Sequence, residues 1–113
     1  MSVTDVTNLI ERLGAFEERM GVRLESLGAK LEDMGGDSVF LTVSGELHPQ
    51  SGTELPQDVE LVIAAYDTSS KIVGTVSHRF ESEGFFGFEI FEEMVQIHVN
   101  NLKRVRILPK RAD

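Results

Sequence analysis

The segment that most constrains this chain is residues 3–34, where apolar side chains recur with a seven-residue repeat. Alternating steps of three and four residues put apolar side chains at nine of the ten a and d positions, Glu17 being the exception. A repeat sustained over four heptads is typical of an α-helical coiled coil. We therefore predict that residues 1–35 form an oligomerising helix. Its predicted interface comprises Val6, Ile10, Leu13, Gly14, Glu17, Met20, Gly21, Leu24, Leu27, Gly28 and Leu31.

Glycine recurs at one phase of this repeat, at positions 14, 21 and 28, each time directly after a d residue. Glycine inside a helix costs about 1 kcal/mol relative to alanine, so its repetition there needs a physical reason. One interpretation is a stripe of small residues that lets a second helix approach closely. The other is a low-complexity repeat with weak helical propensity. Both predict a helix that is ordered only by packing, on other copies or on its own β domain.

Glu17 occupies an a position of the predicted helix, where a buried and unpaired carboxylate is costly. Two interpretations stay open at the level of sequence. Glu17 pairs with an arginine of a neighbouring helix and thereby sets the register, with Arg12, Arg19 and Arg23 as candidates. Alternatively, the close contact between helices ends locally and Glu17 points into water.

From residue 38 onward the apolar period changes to two, with Val39, Leu41, Val43 and Leu47 on one face of a predicted strand. Turn-forming residues separate the following apolar runs, and Asp67–Ser70 between two of them predicts a hairpin. Six strands are expected, at residues 38–47, 59–66, 71–80, 86–90, 95–99 and 105–107. The pattern predicts a small antiparallel sandwich over residues 36–113, so the expected fold class is α+β.

Composition and charge limit the function classes open to the chain. It has no cysteine, which excludes a disulfide framework, thiol catalysis and a Cys-ligated metal. Its formal net charge is −8, and an acidic body argues against a dedicated nucleic-acid binder. Residues 103–113 are basic; we interpret them as neutralising the acidic body, with contact to an anionic partner as the alternative.

Membrane association and export are not expected either. The sequence lacks an apolar run of about 18 residues, so no membrane span is predicted. The first residues have no basic start followed by an apolar stretch, which argues against a secretory signal and favours a cytoplasmic location.

Four short pieces of the β half follow a recognisable order: an early V-x-G-E strand, a strand ending in Tyr-Asp, a Lys-hydrophobic-Val-Gly segment and a Phe-Glu-hydrophobic strand. Here they are Val43–Glu46, Ala65–Asp67, Lys71–Gly74 and Phe88–Ile90. Over about residues 38–108 the chain thereby resembles the FxLYD-type domain, a small bacterial immunoglobulin-like sandwich. The resemblance implies that fold, an interaction role and no catalytic residues. The chain departs from the family at HPQSGTELPQ, which replaces an Asn-rich turn, and in lacking an export signal or a lipidation cysteine.

Residues suited to catalysis or metal binding are scattered. His48, His78 and His98 lack the H-x-H or H-x-x-x-H spacing of a zinc site, although convergence in space stays open. The sequence has no G-x-S-x-G elbow and no glycine-rich phosphate loop. We therefore predict no catalytic residue, no bound metal and no cofactor.

Five phenylalanines lie between residues 80 and 91. Alternation predicts that Phe86 and Phe88 are buried on one face and that Phe85 and Phe91 fall on the other face or in turns. Apolar residues at such places often mark a contact with another chain. The other interpretation is a core covered on both sides, with the helix lying over the second face.

These observations predict a non-enzymatic, homo-oligomeric interaction module that also binds an unidentified protein. The helix would set the copy number and the sandwich would present the binding surface, through Phe85 and Phe91. The alternative is a small-ligand or metal-binding protein that uses His78, His98 and nearby acids.

Overall fold

Two four-stranded sheets dominate the structure, a computed structural model that describes residues 2–36, 38–98 and 101–112. In chain order the strands are β1 (Ser2–Asp5), β2 (Ile10–Arg12), β3 (Val22–Asp33), β4 (Val39–Pro49), β5 (Val59–Asp67), β6 (Ile72–Phe80), β7 (Glu89–Ile97) and β8 (Leu102–Arg111). A 3-10 turn (Thr7–Leu9) and the helix α1 (Gly14–Met20) separate the first three strands.

The strand pairing divides the chain between two sheets with one shared core. Sheet A has the order β1-β3-β4-β7, and all of its strand pairs are antiparallel. Sheet B has the order β2-β8-β5-β6, with β2 parallel to β8 and the other pairs antiparallel. The chain passes from one sheet to the other after β1, β2, β4, β6 and β7. Buried side chains from both sheets form one cluster, so the sheets face each other across it.

The predicted coiled-coil helix is wrong, and with it the α+β fold class. Strands account for 62% of the described residues and short helices for 9%, and α1 is only seven residues long. Residues 22–33 instead form β3, which runs antiparallel to β4 from Val22↔Pro49 to Asp33↔Val39. The segment predicted as a separate unit, residues 1–35, contributes strands to both sheets. The structure therefore does not divide at residue 35.

An irregularity in β3 explains why the spacing looked helical. The register shifts between Glu25 and Gly28, and Ser26 lies in the left-handed region with a φ of 55°. Such a bulge adds one residue to a strand, so that two residues lie opposite one on the partner strand. The strand continues, but the alternation of its side chains is interrupted at that point. Leu24 and Leu27, three positions apart, therefore both reach the core, as does Ala29. The apolar step of three from Leu24 to Leu27 therefore crosses a bulge in a strand rather than one turn of a helix.

The predicted interface residues lie within a single chain's own fold. Val6 and Leu24 are buried in the core, and Ile10, Met20, Leu27 and Leu31 are partly buried against it. The repeated glycines do not form a common stripe. Gly14 begins α1, Gly28 follows the bulge in β3, and Gly21 ends α1 with a φ of 72°. That left-handed conformation is one that glycine adopts without steric cost.

Glu17 is buried, but its partner comes from its own chain. Its carboxylate accepts hydrogen bonds from Arg12 Nη2 at 2.7 Å, Arg12 Nε at 3.2 Å and the backbone N–H of Leu24 at 3.0 Å. Through this bidentate pairing and the bond to Leu24, Glu17 connects α1 with the end of β2 and with the start of β3. The same ion pair raises the pKa of Arg12, chiefly through its hydrogen bonds to Glu17.

Replacing Glu17 with alanine should lower the free energy of unfolding by about 2–4 kcal/mol, because the Leu24 N–H and Arg12 both lose their acceptor. Half-exposed Arg12 can turn back into water, which keeps the loss below that of a fully buried pair. Urea denaturation measures the change. Glu18→Ala, an exposed neighbour on α1, is the matched control and should change stability by less than about 0.5 kcal/mol. Equal midpoints for the two variants would contradict the assigned role.

Much of the predicted β half is confirmed. The loop between β4 and β5, residues 50–58, covers most of HPQSGTELPQ, although His48 and Pro49 belong to β4. β5 and β6 form the predicted hairpin. The Asp67 carboxylate caps that turn by accepting the N–H groups of Ser69 at 2.8 Å and Lys71 at 3.0 Å. The expected strands at 86–90 and 95–99 are one strand, β7, and the predicted strand position at Val99 lies outside the described residues. Within the described part of the chain, no helix has the length and apolar character that a membrane span needs.

Candidate interaction surface

An exposed apolar stripe runs along β7 and the residues just before it. Phe86, Phe88, Ile90 and Met94 are 76%, 46%, 72% and 59% exposed; we call these four residues the β7 stripe. Ile90 pairs with Glu46 and Met94 with Thr42 on β4, so both lie on the outer face of sheet A. Glu92 lies between Ile90 and Met94 on this face. Large apolar side chains grouped on a surface mark a contact site more often than isolated ones do.

The pairing of β7 with β4 determines which side chains form the stripe. Phe91 lies opposite Gly45, and a Cβ built on Gly45 would come within 3.1 Å of the Phe91 ring. The absence of a side chain at position 45 therefore makes room for Phe91 inside the core. Because side chains alternate along a strand, burying Phe91 forces Ile90 and Met94 outward.

Phe85 and Phe91, the predicted contact residues, are therefore placed wrongly. Phe85 is 5% exposed and Phe91 is 1% exposed, and both belong to the core. Phe86 and Phe88, which alternation predicted to be buried, are exposed instead. The prediction is off by one residue, which in a strand exchanges the two faces. The close approach of Phe91 to Gly45 shows which face of β7 is buried. It is visible only once β7 is paired with β4.

The loop before β7 is held at several points, so the aromatic side chains it carries have defined positions. Asp58 accepts the N–H and the hydroxyl of Ser82 at 2.8 and 2.9 Å, and the N–H of Gly87 bonds to the carbonyl of Thr53 at 2.8 Å. Hydrogen bonds from Ser82 lower the pKa of Asp58, and the bond from its backbone N–H has the largest effect. Phe85 anchors the loop in the core, while its neighbour Phe86 projects outward.

Acidic side chains surround the β7 stripe. Glu46 and Glu92 share the outer face of sheet A with Ile90, and Glu83 and Glu89 lie on the loop and at the start of β7. β7 itself has no lysine or arginine. A surface that binds the stripe closely must therefore offer positive charge around an apolar centre.

A groove on the outer face of sheet B forms a second apolar surface. Its volume is about 350 Å³, and we call it the sheet B groove. Most of its lining is apolar, from Leu13, Phe16, Val62, Ala64, Ile72 and Leu108. Phe16 and Ile72 are 46% and 58% exposed. Since the two sheets face each other across the core, this groove points away from the β7 stripe.

Cations border the sheet B groove. At one end the Arg106 guanidinium lies 5.1 Å from the centre of the Tyr66 ring and pairs with Glu11 at 3.3 Å. On the far side of Phe16 the surface continues as a second depression of about 410 Å³, lined in part by Arg19, Lys110 and Arg111. The sequence alone indicates that the C-terminal cations neutralise the acidic body, with contact to an anionic partner as the alternative. Their position beside an apolar groove depends on how β8 pairs.

The histidines do not converge. His78 Nδ1 lies 2.6 Å from Glu93 on β7, His48 Nε2 lies 2.9 Å from Glu46 and stacks on Phe88, and His98 is exposed. Within residues 2–36, 38–98 and 101–112, no group of three or more His, Asp or Glu side chains is arranged to hold a metal ion. His78 and His98, the candidates for a ligand site, do not share one in this structure.

Comparisons with known proteins add little. No family model matches the chain, and no curated protein matches it. Among solved structures it is similar to a putative β-galactosidase from Bacteroides fragilis, at 15% identity and a TM-score of 0.42. The match covers 81% of this chain but only 16% of that one. Nothing about activity follows from a similarity of that size.

Proposed function

We propose that this chain is a non-catalytic protein-interaction domain that binds its partner through the β7 stripe. The observation that carries the proposal is four large apolar side chains, 46–76% exposed, grouped on and just before β7, a strand at the edge of sheet A. Protein interfaces bury such groups in their centres. The surrounding glutamates specify a partner surface that combines apolar and basic groups.

We further propose that the domain is an immunoglobulin-like sandwich related to the FxLYD type. Support comes from the pairing of the strands. The strands β3, β4 and β7 of sheet A correspond to strands A, B and E of such sandwiches, which are neighbours in that order. The strands β6, β5 and β8 of sheet B correspond in the same way to C′, C and F. The four sequence pieces then fall on β4, the end of β5, the start of β6 and the start of β7.

The proposed relationship has one departure that concerns the edge of sheet B. In an immunoglobulin sandwich the last strand, G, lies beside F. Here the place beside β8 is taken by β2, which is parallel and pairs over only three residues, Ile10 to Arg12. α1 follows β2 directly and contacts β8.

In-cell photo-crosslinking tests the proposed function and needs no identified partner. A photoreactive phenylalanine analogue replaces Ile90 in one variant and Val3 in another. Both positions are exposed and apolar, but Val3 lies on β1, at the opposite edge of sheet A. We expect position 90 to give a discrete adduct with a protein, and position 3 to give about tenfold less.

Quantitative binding completes this test. Once the protein in the adduct is purified, titration calorimetry should show that Ile90→Lys weakens its binding by about tenfold or more, because a charge enters an apolar contact. Val3→Lys should bind as the unmodified chain does. Absence of an adduct at position 90, or equal adducts and equal affinities for both positions, would overturn the proposal.

A further inference from the structure

Phe86 is presented as a preorganised aromatic anchor. It is the most exposed member of the β7 stripe, at 76%, yet its backbone is held between buried Phe85 and the Gly87–Thr53 hydrogen bond. An aromatic side chain on a fixed loop loses little conformational freedom on binding, which favours such residues as interface anchors. Its flanking residues in sequence include Glu81, Glu83 and Glu89. The anchor is therefore an aromatic ring with carboxylates on both sides.

The sheet B groove is complementary to this anchor. Its apolar part, between α1 and the outer face of β5, is lined by Phe16, Val62 and Ile72, and ligand pockets of about 300–1,000 Å³ commonly have such linings. Beyond Phe16 the surface is basic, through Arg19, Arg111 and Lys110, the last of which pairs with Glu60 at 3.4 Å. An aromatic ring in the first part thus brings adjacent carboxylates towards cations in the second.

Charge also determines how two copies can meet. Apposing two β7 stripes brings the glutamates of both copies together, Glu46 and Glu92 among them. β7 has no cation, and the cations of that face, Arg23 and Lys30 on β3, already pair with glutamates of their own strand. Apposing two sheet B grooves brings Arg19 and Arg111 of both copies together, while Arg106 and Lys110 already pair with Glu11 and Glu60. Contact between a stripe and a groove pairs opposite charges, whereas like charges that meet in an interface repel each other and disfavour the contact.

The stripe and the groove of one molecule cannot meet each other, because they lie on outer faces that point in opposite directions. A contact between them must join different molecules, and each molecule then keeps one unused stripe or one unused groove. Such a head-to-tail contact continues into a ring or an open chain.

We infer that the β7 stripe binds a second copy of this chain, with Phe86 seated in that copy's sheet B groove, so that the molecules associate head to tail. This inference rests on the proposed function and names its partner. It commits to one contact, made by the acidic aromatic segment 81–89 on one side and by the apolar and basic surface around Phe16 on the other.

Mixing two defective variants tests the contact. Phe86→Ser removes the anchor but leaves the groove, and Ile72→Glu places a repelling charge in the groove but leaves the anchor. Both positions are exposed, so the variants should unfold at the temperature of the unmodified chain. Val3→Ser, exposed and outside both surfaces, is the control.

Light scattering after size exclusion, repeated over about a hundredfold range of concentration, gives the readout. We expect the unmodified chain and Val3→Ser to form species that grow beyond a dimer as concentration rises. Each defective variant alone should associate at least about tenfold more weakly. Their equimolar mixture should form a dimer and nothing larger, since only one functional contact exists per pair.

Each outcome separates the inference from the function it rests on. If the unmodified chain stays monomeric while position 90 crosslinks to a different protein, the head-to-tail contact is refuted and the proposed function stands. If the chain associates but neither variant weakens association, the contact lies elsewhere and the assignment is refuted. A mixture that stays monomeric, or a variant that still forms a closed dimer alone, also refutes the assignment.

Discussion

Deleting residues 2–33 should leave a chain that no longer folds. The deletion removes β3 from the middle of sheet A, exposing the edge of β4 along the register from Val22↔Pro49 to Asp33↔Val39. It also removes buried Val6, Val22, Leu24 and Ala29 from the core. Burial of a Val or Leu side chain contributes about 1.5–3 kcal/mol, so the lost contacts amount to about 5 kcal/mol or more. A domain of ordinary stability has about 5–15 kcal/mol in total.

Circular dichroism and thermal unfolding measure this result. The matched control is deletion of residues 2–5, which removes β1, a strand whose four residues are all exposed at the edge of sheet A. That variant should keep a cooperative transition close to the original midpoint. A folded and monomeric product from the larger deletion would mean that residues 2–33 form a separable helix, in disagreement with the strand pairing.

Phe91→Ala should be the most destabilising single truncation among the phenylalanines of β7 and the loop before it. Phe91 is 1% exposed, and its ring lies edge-on to that of Phe80, with 6.1 Å between the ring centres. Truncation of a core phenylalanine to alanine costs about 3–5 kcal/mol, because burial is lost and a cavity remains. Phe86→Ala, at a 76% exposed position earlier in the chain, should cost less than about 0.5 kcal/mol.

Denaturant unfolding of the two variants side by side checks which face of β7 points inward. A large loss for Phe91 and a small one for Phe86 agrees with Phe91 packing over Gly45. The reverse order would place Phe91 on the surface, as in the contact surface predicted from sequence, and would remove the basis for the β7 stripe.

The candidate surface was only partly accessible from sequence. The cluster of phenylalanines between residues 80 and 91 did point to this region of the chain. Sequence could not assign the exposed members, because both faces of β7 carry apolar side chains: Ile90 and Met94 on one, Phe91 and Val95 on the other. Alternation then allows either face of β7 to be the buried one. The sheet B groove was not predicted at all, because α1, β5, β6 and β8 meet there from distant parts of the sequence.

Sequence by itself determined the elements whose signals are local. The alternation of Leu41, Val43 and Leu47 specifies a strand with one buried face, and Asp67 specifies a turn because its side chain caps the following N–H groups. These contacts span only a few residues, so the local pattern is sufficient to predict them. The missing cysteines likewise excluded disulfides and thiol chemistry without any structure.

Only the tertiary structure decided the state of residues 3–34 and the inward face of β7. Apolar steps of three and four residues suit a helix, but they also suit a strand interrupted by a bulge, as between Glu25 and Gly28. Hydrogen bonding to β4 decides between them, because the backbone polar groups of a mostly buried or half-buried segment need partners. Pairing with Gly45 decides the second question in the same way. Both outcomes depend on contacts between residues far apart in the chain, which no local period records.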